Sequence, residues 1–217
     1  MKLYEWKEID GRLELYFPEE NQTISLDWQA DWSYHLRQHY SIRKEPLARA
    51  LGIKGDVQSK VWDLTCGTGK DALLMLSFGV HLCAFERQAE IFKLLQNAHS
   101  FLPSDLKERF ALFEGEARLL DTSSLSLPDV LYFDPMYEQK EGKARKALPR
   151  KEMRLFRELA GEDLDARETL AWALGFAKEK GVGRVVVKHP VKAKPLLPGV
   201  TASYEGKSTA YDLYRVL

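Results

Sequence analysis

The 217-residue sequence has few cysteines, no long apolar run and no excess of charge of either sign. Its two cysteines, Cys66 and Cys83, provide neither a disulfide framework nor a zinc-binding pattern, so we expect two reduced thiols and no metal site. No run approaches the roughly 18 apolar residues that a membrane span needs, and the first residues lack the apolar segment of a signal peptide. These absences predict a cytoplasmic protein that does not cross a membrane.

A third glycine is missing from the segment that most looks like a nucleotide-binding loop. An apolar run at residues 61–64 leads into Gly67 and Gly69, and a helical pattern follows, but the position of the third glycine holds Ala72. Glycine permits positive φ and the close approach of a ligand, and the amides of the following helix start face that ligand. The loop is therefore built to hold a ligand, yet it departs from the dinucleotide fingerprint.

Two acidic residues accompany this loop. Asp63 precedes it, and Glu86 ends the next apolar run, about 20 residues after the first glycine, where an acid typically accepts hydrogen bonds from a ribose diol. S-adenosylmethionine contains a ribose but no pyrophosphate, so this pattern suits it better than a dinucleotide. A nicotinamide-dependent oxidoreductase remains an alternative from another class of enzyme.

A second motif lies some 70 residues further along the chain. The apolar run at residues 130–133 ends in Asp134, Pro135, Met136 and Tyr137. Open α/β sheets bind their ligands at the carboxyl ends of the strands. A carboxylate, a rigid turn and an aromatic ring at such a position can hold a flat group that bears an amine, and a nucleobase is the obvious candidate. The alternative is a capped strand end with a structural proline.

The 32 basic and 32 acidic residues balance each other, but their distribution is uneven. Residues 1–31 carry eight acids and three bases, whereas residues 140–154 carry seven bases and two acids. The seven bases are Lys140, Lys143, Arg145, Lys146, Arg150, Lys151 and Arg154. Because they follow the Asp134 motif, we predict that they contact RNA phosphates, with a solvated charged loop as the alternative.

The order of the elements predicts an α/β fold with a small β-rich extension at its N-terminus. Residues 1–27 alternate apolar and polar side chains around Asp10-Gly11, a pattern typical of an antiparallel hairpin. From residue 60, strands and helices alternate as in a parallel sheet with crossover helices. Strands are predicted near residues 60–64, 80–85, 110–114, 129–133, 183–188, 200–204 and 209–216, and helices near 70–78, 88–101, 151–159 and 166–180. The extension and its connecting arm would span residues 1–55, and the larger domain 56–217.

Residues 33–52 have partly helical character and connect these two units. They include a second group of bases, namely His35, Arg37, His39, Arg43 and Lys44. This segment is either an exposed connector or an arm that contacts phosphates.

Six segments together carry a family resemblance. They are residues 63–72, 86–87, 134–137, 150–154, 161–165 and 184–190. In this order they resemble the class I, Rossmann-like methyltransferases and, within them, the bacterial small-subunit ribosomal RNA guanine-N2 methyltransferases of the RsmJ type. The resemblance covers roughly residues 35–217. The glycine loop is generic to the class, whereas residues 150–154 and 184–190 are more specific.

The resemblance implies S-adenosylmethionine as the cofactor. Besides Asp63, Gly67 and Gly69, the residues that it assigns to cofactor binding are Lys70, Asp71, Glu86, Arg87, Glu116, Ala117 and Asp134. Lys70 stands where arginine is common in the family, which changes the expected contact geometry. Glu116 and Ala117 stand where two small hydroxyl residues are common.

The reaction implied is methyl transfer to the exocyclic N2 amine of a guanine in 16S ribosomal RNA or the small ribosomal subunit. Asp134 and the Pro135 carbonyl would accept hydrogen bonds from the amine, and Tyr137 would stack on the base. A base inside a duplex is unreachable, so the target must be unpaired or flipped out. The alternatives are an amino-methyltransferase acting on DNA adenine or protein glutamine, and a non-catalytic RNA-binding module.

Overall fold

Two β-sheets, one of three strands and one of seven, organise the part of the chain that the structure describes. The structure is a computed structural model that describes residues 4–54, 58–136, 151–161 and 163–216, with the backbone alone at 151–153. The predicted α/β fold with an N-terminal β-rich extension is confirmed. Within these ranges, no helix has the length and apolar character needed to cross a bilayer.

The three-stranded sheet is antiparallel and consists of β1 (Glu5–Ile9), β2 (Arg12–Phe17) and β3 (Gln22–Ser25). Asp10 and Gly11 join the first two strands with φ values of 52° and 75°. Two residues of positive φ match the twist of a hairpin, so the predicted Asp10-Gly11 turn is confirmed.

Two helices connect this sheet to the larger one. Helix α1 (Trp28–Gln38) begins at Asp27, whose side chain accepts a hydrogen bond from Ala30 N at 3.1 Å. It starts before residue 33, where the sequence pattern placed the beginning of helical structure. Helix α2 (Pro46–Leu51) begins with a proline, which suits a first helical position, and ends at Gly52 with a φ of 73°.

The seven-stranded sheet has the strand order β6-β5-β4-β7-β8-β10-β9. Its strands are β4 (Lys60–Asp63), β5 (His81–Glu86), β6 (Phe110–Glu114), β7 (Val130–Phe133), β8 (Arg184–Pro190), β9 (Ala202–Glu205) and β10 (Thr209–Arg215). The helices between them are α3 (Lys70–Ser77), α4 (Ala89–Ser100), α5 (Ser104–Lys107), α6 (Lys151–Ala160) and α7 (Ala166–Lys180). Strands β4 to β8 are parallel, and β10 is antiparallel to both of its neighbours. The strand order reverses direction between β4 and β7, which is where such sheets open a ligand crevice.

Both faces of the seven-stranded sheet are covered, and the strand side chains alternate between two apolar clusters. Val61 and Val186 pack on the face that carries α3, α4 and the three-stranded sheet. Trp62 and Val185 pack on the opposite face, against α7. The N-terminal sheet therefore shares one apolar core with the larger sheet. The domain boundary between residues 55 and 56 stays a prediction, because residues 55–57 lie outside the described part of the chain.

Candidate active site

A cleft opens at the carboxyl ends of β4, β5, β6 and β7. The predicted cofactor residues that line it are Gly67, Glu86, Arg87, Glu116, Ala117 and Asp134. They follow different strands of the parallel sheet, and the strand order brings these loops to one edge.

The two loop glycines have different surroundings. Gly67 lines the cleft with a φ of 57°, and a Cβ there would meet only Thr65 O, at 4.0 Å. Gly69 has a φ of 76°, and a Cβ there would lie 2.2 Å from the Trp28 ring. Trp28 is fully buried and donates from Nε1 to Thr68 O at 3.0 Å. Gly67 thus leaves space for a ligand, whereas Gly69 leaves space for a tryptophan of α1.

Glu86 is held at the end of β5 by the backbone. Its Oε2 accepts a hydrogen bond from Gly67 N and its Oε1 accepts one from Gln88 N, each at 2.9 Å. Burial raises the pKa of this carboxyl, and the two backbone donors and Arg87 oppose the rise. Each oxygen keeps a lone pair, so Glu86 can accept a further hydrogen bond from a ribose hydroxyl in the cleft.

An ionic network closes the cleft on the β6 side. Arg87 donates to Asp165 Oδ1 at 3.0 Å and to Asp163, and its Nη1 lies 3.6 Å from Glu116 Oε1. Arg118 donates to Glu116 and to Asp165. The loop after β6 is thereby tied to the segment that precedes α7. Arg118 was not predicted from the sequence, because nothing local distinguishes it from a surface arginine.

The turn after β7 is fixed at two points. Asp134 N donates to Thr65 Oγ1 at 2.9 Å, and Met136 N donates to Asp163 Oδ2 at 2.5 Å. Pro135 between them is buried. The side chain of Asp134 and the turn that carries it are therefore set against the glycine loop on one side and the ionic network on the other.

A lysine joins two carboxylates beside this turn. Lys188 Nζ donates to Asp134 Oδ2 at 2.8 Å and to Asp71 Oδ2 at 2.7 Å. Tyr132 also donates to Asp71 Oδ2, at 2.5 Å. The side chain of Asp71, which was predicted to bind the cofactor, thus points towards β7 and β8, where it is hydrogen-bonded to Tyr132 and Lys188.

The protonation of this cluster follows from its burial. Burial raises the pKa of Asp134 to about 6, with Lys188 opposing the rise and Asp71 adding to it. Burial alone would lower the pKa of Lys188, but the two carboxylates raise it above its usual value, so the lysine stays charged. Asp63 lies nearby with its Oδ1 bonded to Thr65 N at 3.1 Å. Full burial raises the pKa of Asp63 well above its usual value, which favours the neutral acid.

Other predicted residues lie away from the cleft or outside the described part of the chain. Lys70 is exposed at the first position of α3. Arg154 is exposed on α6, 3.5 Å from Glu158 one turn later. The predictions that fall outside the described side chains concern Tyr137, Lys140, Lys143, Arg145, Lys146, Arg150 and Lys151. Their roles stay predictions.

The strand order, the glycine turn and Glu86 at the end of β5 together define a Rossmann-like methyltransferase of class I. The chain belongs to the family of SAM-dependent methyltransferases, whose sequence profile matches residues 4–216. S-adenosylmethionine is its cofactor, and the open Gly67 position and the Glu86 carboxylate are suited to it. The nicotinamide-dependent alternative is not supported.

Within this family the chain is similar to proteins named ribosomal RNA small subunit methyltransferase J. The protein of Thioalkalivibrio sulfidiphilus is 38% identical over 95% of this chain and 82% of its own length. The protein of Bdellovibrio bacteriovorus is 34% identical over 91% of this chain and 76% of its own length. The crystal structure of a SAM-dependent methyltransferase from Neisseria gonorrhoeae superposes with a TM-score of 0.69 and 25% identity, and covers 94% of this chain and 79% of its own. The predicted resemblance is confirmed.

Proposed function

We propose that this protein transfers a methyl group from S-adenosylmethionine to the exocyclic N2 amine of a guanine in 16S ribosomal RNA. The names of the similar proteins support a small-subunit ribosomal RNA substrate. The observation that carries the chemistry is the fixed turn after β7, which presents the Asp134 carboxylate at the wall of the cofactor cleft.

The amine of guanine is a poor nucleophile, because its lone pair is delocalised into the purine ring. In our proposal, Asp134 and the Pro135 carbonyl accept its two hydrogens and direct the lone pair at the methyl carbon. The cofactor supplies an electrophilic methyl group on a sulfonium. The amine becomes acidic as the new bond forms, so a carboxylate suffices to accept the proton that leaves the nitrogen.

Most of the rate enhancement would come from alignment. Reactants held in line gain an effective molarity that reaches about 10⁵–10⁸ M in well-oriented systems. The two anchors of the turn, Thr65 Oγ1 and Asp163, serve this purpose by fixing the backbone on either side of Pro135. Tyr137 would complete the site by stacking on the guanine.

For the cofactor, we propose that Glu86 binds the ribose hydroxyls and that Gly67 lies against the adenosine. Glu116 and Ala117 follow β6 at the same edge and would flank the adenine, with Glu116 held by both arginines of the ionic network. Asp63, Gly69, Lys70 and Asp71 would act around the methionine portion, mainly by shaping the loop and its charge. These assignments rest on the cleft geometry and the family resemblance together.

For the RNA, we propose that the bases of residues 140–154 contact phosphates near the target. Arg154 is the member of this group whose side chain the structure describes, and it is exposed. Phosphate contacts of this kind add affinity that weakens as salt increases.

The experiment compares Asp134→Ala with Asp121→Ala, an exposed aspartate in the loop between β6 and β7. Each variant is incubated with S-adenosylmethionine and small ribosomal subunits or 16S RNA from cells lacking the protein, and the nucleosides are analysed by mass spectrometry. We expect N2-methylguanosine from the wild type and from Asp121→Ala, and none from Asp134→Ala. Turnover by Asp134→Ala near the wild-type level would refute the role of this carboxylate.

Parallel incubations of the wild type with DNA and with protein, using S-adenosylmethionine that carries a labelled methyl group, separate the remaining alternatives. An enzyme that acts on DNA adenine or on protein glutamine would leave the RNA unmodified and label DNA or protein instead. A non-catalytic RNA-binding module would bind the RNA and label nothing. A calorimetric titration with S-adenosylhomocysteine checks that the cofactor site of each variant is intact.

A further inference from the structure

A basic segment without acidic residues covers the second half of α1 and most of the loop that leads to α2. From Ser33 to Lys44 the chain contains Arg37, Arg43 and Lys44, two histidines and no aspartate or glutamate. We call residues 33–44 the arm. The proposed function gives it no role, and its charge contrasts with the acidic excess of residues 1–31.

The start and the end of the arm lie near the Asp71–Lys188 pair. Helix α1 packs beside α3, whose second residue is Asp71. Burial lowers the pKa of His35 and raises that of Tyr211, and the charge of Asp71 opposes the first shift and adds to the second. Tyr211 is the cross-strand partner of Lys188, and Glu45, the residue after the arm, also adds to the raised pKa of Tyr211. The arm therefore starts beside the helix that carries Asp71 and ends near the strand neighbour of Lys188.

The last residues of the arm lie at the carboxyl edge of the parallel strands. Pro46, which follows the arm, packs beside Gly206 in the turn between β9 and β10. The first residue of β10, Thr209, pairs with Pro190 at the carboxyl end of β8. Arg43 and Lys44 thus stand at the edge of the sheet where the cleft opens.

The arm has a defined conformation. His35 Nδ1 and Tyr40 Oη form a hydrogen bond of 2.8 Å, and the Tyr40 ring packs edge-on against Phe78 at 6.0 Å. The backbone amides of Lys44 and Glu45 donate to Ser41 O at 2.8 and 3.0 Å. The chain around the cations is therefore held in place, which lowers the entropy lost when they bind a ligand.

The cations of the arm have no internal anion to neutralise them. Arg37, Arg43 and Lys44 are exposed, and none forms an ion pair or ring contact in the described part of the chain. By contrast, Arg87, Arg118 and Lys188 near the cleft are each neutralised by carboxylates. Tyr34, about half exposed, adds a ring on which a base can stack.

We propose that Arg37, Arg43 and Lys44 bind phosphates of the RNA strand on the side of the target guanine nearest β8 and β10. This inference rests on the proposed function and adds a second phosphate-binding surface to the one predicted at residues 140–154. Phosphate contacts by the arm would hold the RNA strand beside the Asp134 turn, which would favour an unpaired nucleotide in the cleft.

The test neutralises the arm and compares it with a matched control. The arm variant carries Arg37→Gln, Arg43→Gln and Lys44→Gln. The control carries Lys54→Gln, Lys107→Gln and Lys178→Gln, three exposed lysines near the amino ends of the strands. Both lose three positive charges, so a general effect of net charge is the same in each. Binding to 16S RNA and to small ribosomal subunits is measured over a series of salt concentrations, together with the KM for RNA and the affinity for S-adenosylhomocysteine.

We expect the arm variant to bind RNA at least tenfold more weakly, with unchanged S-adenosylhomocysteine affinity. The slope of log K against log salt should fall by about two, because each phosphate contact contributes roughly 0.7–0.9. The control should match the wild type. If the arm variant and the control behave alike while both methylate RNA, the arm inference is wrong and the proposed function stands. If the wild type neither binds nor methylates RNA, the proposed function itself fails.

Discussion

Lys188 donates a hydrogen bond of 2.8 Å to Asp134, the carboxylate on which the proposed reaction depends. Without this cation, the partly buried carboxylate of Asp134 would take up a proton at a higher pH still. Lys188 is shared with Asp71, so its charge compensates two acids rather than one. The pKa of Asp134 remains raised, at about 6, despite this ion pair, because burial of the carboxylate outweighs it and the charge of Asp71 adds to the rise.

The acid limb of the pH–rate profile should therefore report Asp134. A raised carboxyl pKa means that the protonated form accumulates as the pH falls through about 6, and the protonated form cannot accept both the proton and the hydrogen bond of the amine. We expect methylation to decline below this pH. In Lys188→Met, the lost cation should move the limb upward by at least about one pH unit, or ~1.4 kcal/mol.

Lys192→Met is the matched control for this measurement, because Lys192 is an exposed lysine shortly after the same strand. Single-turnover rates with saturating RNA, taken from pH 5 to 9, separate the chemical step from RNA binding. An acid limb that stays in place in Lys188→Met would show that Asp134 is not the titrating group.

The two loop glycines should respond differently to alanine. A methyl group at Gly69 would collide with the Trp28 ring and would also occupy positive φ, so we expect Gly69→Ala to destabilise the protein by about 3–5 kcal/mol. Gly67→Ala meets no neighbour closer than 4.0 Å and should cost about 1–2 kcal/mol from its φ alone. Urea denaturation measures both losses.

Cofactor affinity should be affected directly by the substitution at Gly67, which is the less destabilising of the two. The methyl group of Gly67→Ala would project into the cleft, so this variant should lose S-adenosylhomocysteine affinity while remaining folded. Comparable stability losses in the two variants would contradict the packing of Trp28 against Gly69.

Asp163 is expected to position the catalytic turn. Asp163→Ala removes the acceptor of Met136 N, and a displacement of even 1 Å at a reacting group can cost about 10²-fold in rate. We expect kcat to fall about 10- to 100-fold with little change in the KM for S-adenosylmethionine. Asp165→Ala is the control, because Asp165 contacts both arginines of the network but not the turn. Equal losses of kcat in both variants would assign the effect to the network as a whole.

Glu86→Gln should weaken the cofactor site. The new amide would turn an NH₂ group towards a backbone N–H of Gly67 or Gln88, so one of the two hydrogen bonds is replaced by a contact between donors. We expect S-adenosylhomocysteine to bind at least about tenfold more weakly, or ~1.4 kcal/mol, with a lower Tm. Glu114, the exposed neighbour of Glu86 in β6, provides the control variant Glu114→Gln, which should bind normally.

The sequence predicted the elements of the parallel sheet well, because each strand from β4 to β8 is a short apolar run bounded by turn residues. The predicted helix at 166–180 coincides with α7, and the strand predicted at 110–114 coincides with β6. It also placed Gly67, Glu86 and Asp134 at one edge, since parallel strands bring their carboxyl ends together.

The partners of these residues could not be predicted in the same way. Arg118 with Asp165, and Lys188 with Asp71, are separated by 47 and 117 residues, so their pairing depends on how whole elements pack. Trp28 lies outside the segments that carry the family resemblance, and nothing in the residues around it predicts a contact with the glycine loop. Only the packing of α1 beside α3 shows that this ring is buried against the glycine loop.

The contact between Trp28 and the glycine loop gives helix α1 an unexpected importance. Nε1 of Trp28 bonds to Thr68 O, and its ring fills the space that a side chain at position 69 would take. Shortened versions of the protein that begin after α1 would keep every strand of the larger sheet and still lose the ring that supports the turn at Gly69. We expect such truncations to be inactive, because this turn would no longer keep the shape that the proposed cofactor contacts need, even though Asp134 is untouched.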